Sequence, residues 1–108
     1  MRKLTEKDTQ ILLKLAPEAS VPIHYRSILP PVSFHFAADE EDFEDRLLRL
    51  TEDDFSYLAD RILDGSECLL CISPESATVF IDLMEKRLGG EKAEKIRELY
   101  RNSTGFEA

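Results

Sequence analysis

Tryptophan is absent, and cysteine, histidine and glycine are scarce: two, two and four residues in a chain of 108. Each scarcity narrows what the protein can be. Two cysteines three positions apart, Cys68 and Cys71, cannot supply the disulfide framework of a small secreted domain. Two histidines, His24 and His35, cannot form a His-Glu-x-x-His pair eleven residues apart. Four glycines, two of them adjacent, leave no room for a Gly-rich phosphate loop or a Gly-x-Ser-x-Gly elbow. No apolar run approaches the ~18 residues that a membrane span requires. The opening Met1-Arg2-Lys3-Leu4-Thr5-Glu6-Lys7-Asp8 lacks the apolar stretch and cleavage site of a secretory signal. A cytoplasmic protein of one domain, residues 1–108 with the last ~5 residues as a frayed tail, is the expectation.

What is present is charge and helical periodicity. Hydrophobic residues make up 43% and charged residues 33%, a balance that supports a folded core under a solvated surface. The net charge of −8 is uneven: residues 1–29 carry +2, residues 37–85 carry −12 and residues 86–108 carry +2. An acidic middle repels phosphate backbones, so nucleic acid is not the favoured partner.

Leu50-Thr51-Glu52-Asp53-Asp54-Phe55 is the strongest local signal. Thr51 is a good N-cap, Asp54 stands at the third helical position, and Leu50 and Phe55 form a hydrophobic staple. Phe55, Leu58, Ala59, Ile62 and Leu63 then recur on one face, and Gly65 closes a helix over 52–64. Leu4-Thr5-Glu6-Lys7-Asp8 repeats the cap 46 residues earlier and opens a helix that Pro17 ends. The match fades beyond the cap, so it reads as shared capping chemistry rather than an internal repeat. Asp39 or Ala38 starts a third helix through Phe43, Leu47 and Leu50. Ser73-Pro74-Glu75 starts a fourth over 74–88, apolar over so much of its circumference that it must be central or contact a second copy of the chain. Gly89-Gly90 breaks it, and Ala93, Ile96, Leu99 and Tyr100 mark a last helix ending near Asn102. The prolines of 17–31 limit regular structure, although Ser20-Val21-Pro22 fits the start of a short helix through Leu29. Val32-Ser33-Phe34-His35-Phe36 alternates like a strand and Cys68-Leu69-Leu70-Cys71-Ile72 has strand length. The expected fold is all-α, a compact bundle of five or six short helices. It leaves room for one small two-stranded β element made of residues 32–37 and 67–72.

Four groupings invite a functional reading. Cys68-x-x-Cys71 lacks the second ligand pair that zinc needs unless His24 and His35 join it, and buried core thiols are the simpler reading. His24-Tyr25-Arg26-Ser27 gathers polar groups useful in a site, but an exposed turn looks the same. With its capped first helix, the start of the chain resembles the opening of a winged-helix DNA reader. That resemblance covers under a third of the chain, and Pro30-Pro31 interrupts what would become the recognition helix. The last grouping is the acidic set Asp39, Glu40, Glu41, Asp42, Glu44, Asp45, Glu52 and Asp53. It lacks the spacing of an EF-hand loop and suits a surface that docks a basic partner. No catalytic, cofactor-binding or metal-binding residue is assigned, and the sequence leans away from an enzyme. The reading is a protein-interaction or regulatory module with a protein partner, no membrane and room for a homodimer; the alternative is a DNA-binding regulator acting through its N-terminal third.

Overall fold

The computed structural model describes residues 4–19, 27–69 and 71–105. Within them the chain forms six helices: α1 (Glu6–Leu15), α2 (Leu29–Pro31), α3 (Glu40–Leu47), α4 (Glu52–Leu63), α5 (Pro74–Leu88) and α6 (Gly90–Thr104). A π-helical turn, Val32–Phe36, continues directly from α2. The all-α bundle expected from the periodicity is the observed architecture.

Side-chain chemistry fixes the helix starts. Thr5 and Thr51 build capping boxes: each hydroxyl accepts the N–H of the third helical residue, Asp8 or Asp54, whose carboxylate accepts the threonine N–H in return. Asp39 accepts the Asp42 N–H at the start of α3, and Ser73 accepts the Ser76 N–H at the start of α5. Each such cap stabilises its helix by about 1 kcal/mol. The stops are equally local. Gly89 takes φ +90° between α5 and α6, and Gly105 ends α6 at φ +79°. Both backbone conformations are strained for any residue with a Cβ.

α5 is the central helix. It buries Ala77, Phe80, Ile81, Leu83 and Met84 and packs against α3, α4 and α6. Its wide apolar face is therefore covered within the chain. The rings of Phe80 and Phe55 of α4 meet at 6.0 Å between centroids. Ile11, Leu12 and Leu15 of α1, Phe43 and Leu47 of α3, and Ile96 and Tyr100 of α6 complete one contiguous core. Burying each of these large apolar side chains contributes roughly 1.5–3 kcal/mol.

The small β element for which the sequence left room is not formed among the described residues. Residues 32–36 are helical, with the Ala37 N–H donating to the Val32 carbonyl at 2.8 Å. Pro30 and Pro31 explain this: Pro31 sits at φ −62°, ψ −39°, and feeds a helical turn. The buried positions are then Val32 and, in part, Phe36, spaced i and i+4, whereas Phe34 is 60% exposed. Among the described residues of 67–72 no strand occurs either. The Ile72 N–H closes a tight turn on the Leu69 carbonyl at 3.3 Å. The short helix expected from Ser20 falls largely on residues 20–26, outside the described residues.

Candidate functional site

The acidic middle of the chain divides in two once it is folded. Asp42 and Asp54, each the third residue of its helix, take up structural work, Asp54 fully buried and Asp42 partly exposed. Asp54 is fully buried; it accepts from Lys7 Nζ at 2.8 Å and Lys14 Nζ at 2.6 Å, both from α1, and from the Thr51 N–H. Burial alone would push its carboxyl up. The bonds from Lys14, Lys7 and Thr51 together outweigh that and hold it well below the usual carboxylate range. The same contact raises Lys7. Asp8 mirrors Asp54 across the helix pair: it is fully buried in the α1 cap and lies 3.6 Å from Arg61 of α4. Thr5 Oγ1 and the Tyr57 hydroxyl meet at 3.0 Å beside them. Each of the two matching caps thus anchors its own helix and grips the other.

Asp42 accepts the Ala38 N–H and the Arg46 Nε–H, and both lower its carboxyl. Arg46 is the hub of this corner and only 8% exposed. Its guanidinium donates to both oxygens of Glu18, at 2.8 and 3.0 Å, and to the carbonyls of Leu15 and Phe36. Glu18 falls to about 2 as a result of that bidentate bond, helped by a backbone bond. One side chain therefore ties the end of α1 and the end of the π-helical turn to α3.

Of the eight acidic candidates, Asp39 and Asp42 are drawn into the start of α3. Glu40, Glu41, Glu44 and Asp45 line its outward side, and Glu52 and Asp53 stand exposed on the first turn of α4. Among the described residues the side chains of these six make no hydrogen bond or close ion pair, and none joins the α3 group to the α4 group. Leu48, 48% exposed, follows the α3 carboxylates one turn on.

The thiols are not core residues as expected. Cys71 is exposed and Cys68 is half-buried, while Leu69 and Ile72 carry the burial of that segment. Tyr100 holds the segment down by donating its hydroxyl to the Ile72 carbonyl at 3.1 Å; burial, then Glu75, raises its phenol. Glu67, buried, accepts the N–H groups of Ile28 and Leu29 and so caps α2, a role with no local sequence signal. Among the described residues no three metal-ligating side chains converge. His35 is exposed, and His24, Tyr25 and Arg26 lie outside the described residues. Lys7 and Lys14, two cations that a basic N-terminal face would require, hold Asp54 instead.

A cleft lies beside Cys68, about 350 Å³ in volume, where the end of α4 and the 64–69 loop meet α6. Its walls are Ile62, Leu63, Leu69 and Leu99, with Asp64, Gly65, Glu67 and Cys68 completing the lining. None of the described helices is long and apolar enough to cross a membrane. No family model, no curated protein and no solved structure matches this chain.

Proposed function

We propose that the chain is a non-enzymatic protein-interaction module of the cytoplasm, docking a basic partner surface on the outward carboxylates of α3 and the first turn of α4. The observation that carries this reading is the split within the acidic run. Asp42 and Asp54 are neutralised internally, whereas Glu40, Glu41, Glu44, Asp45, Glu52 and Asp53 keep their charge on the surface. A field of one sign in an exposed position attracts an oppositely charged partner and speeds its association. The exposed Leu48 at the end of the α3 stripe adds an apolar contact of the kind an interface centre uses. Cys68 and Cys71, too close in sequence for a disulfide framework, fit a reducing compartment.

The experiment is affinity capture from native extract at low and moderate salt, with the wild type beside a Glu40→Lys/Glu41→Lys/Glu44→Lys variant. A specific protein that is retained by the wild type, released as salt rises and lost by the variant supports the reading. Retention of the same protein by the variant overturns it, as does recovery of nucleic acid alone. Asp42 is left intact in this variant because its loss would unseat Arg46 and confuse binding with folding.

A further inference from the structure

We draw no further inference here: the strongest candidate, the leucine-walled cleft beside Cys68 where the end of α4 and the 64–69 loop meet α6, carries none because nothing in the structure shows what covers it.

Discussion

Asp53 and Asp54 are neighbours of the same chemical type, and the fold treats them in opposite ways. Asp53, the second residue of α4, is exposed; Asp54, the third, is buried under two lysines. The same division recurs in α3, where Glu40 and Glu41 face solvent and Asp42 is bound to Arg46 and the Ala38 N–H. In α1, Glu6 is exposed and Asp8 is fully buried. The distinction is positional. An acid at the third helical position reaches back over the helix start, where Asp8 and Asp54 meet cations from a neighbouring helix and Asp42 meets Arg46 of its own. A run of acidic letters is therefore two populations, one that builds the fold and one that is left for the surface.

The largest way to break that comparison is Asp54→Ala. It removes the return half of a capping box and the buried carboxylate that accepts from the half-exposed Lys7 and Lys14. A loss of about 3 kcal/mol in urea denaturation is expected. Arg46→Met comes next, with a loss of about 2 kcal/mol by the same measurement. The methionine fills the volume, but the Leu15 and Phe36 carbonyls lose their bonds from Arg46. Thr5→Ala and Thr51→Ala should each cost about 1 kcal/mol, as lost N-caps do. At the small end, Glu40→Gln, Glu44→Gln and Asp53→Asn should each change stability by less than about 0.5 kcal/mol.

Acid sharpens the comparison further. The engaged carboxylates Asp54, Asp42 and Glu18 are all lowered on folding, so the stability they contribute is complete above their unfolded values, 3.8 for aspartate and 4.5 for Glu18. It is lost as the pH falls through their folded values. Stability should be flat from about pH 7 to about pH 5 and then decline steadily below about 4.5. Asp54→Asn should make that decline shallower, whereas Asp53→Asn should leave its slope unchanged.

How much of this was legible in the sequence depended on how local the cause was. The α4 cap was readable because Thr51, Asp54, Leu50 and Phe55 carry all of its chemistry within six residues, and α5 declared itself through Ser73-Pro74. The role of Asp42 was hidden by an ambiguous helix start: with Ala38 and Asp39 both plausible caps, nothing marked Asp42 as the third residue. The 32–36 segment misled because five residues are too few to separate alternation from an i, i+4 pair, and the two preceding prolines decided the matter. Beyond the Asp42–Arg46 spacing, the long-range roles of Arg46 and Glu67 left no signal. The partners Leu15 and Glu18 of Arg46, and Ile28 and Leu29 of Glu67, lie 28 to 39 residues away, and only the packing of α1, α2 and the 64–69 loop brings them within reach. The cysteines misled through composition: an apolar run suggested burial, yet Leu69 and Ile72 took the interior and Cys71 was left outside.

The positional division of the acidic run is tested most directly by urea denaturation of Asp53→Ala and Asp54→Ala side by side at neutral pH. A loss of about 3 kcal/mol for Asp54→Ala against less than about 0.5 kcal/mol for Asp53→Ala is the predicted result. Equal losses, or a larger loss for Asp53→Ala, would contradict it, because the two neighbours would then belong to one population.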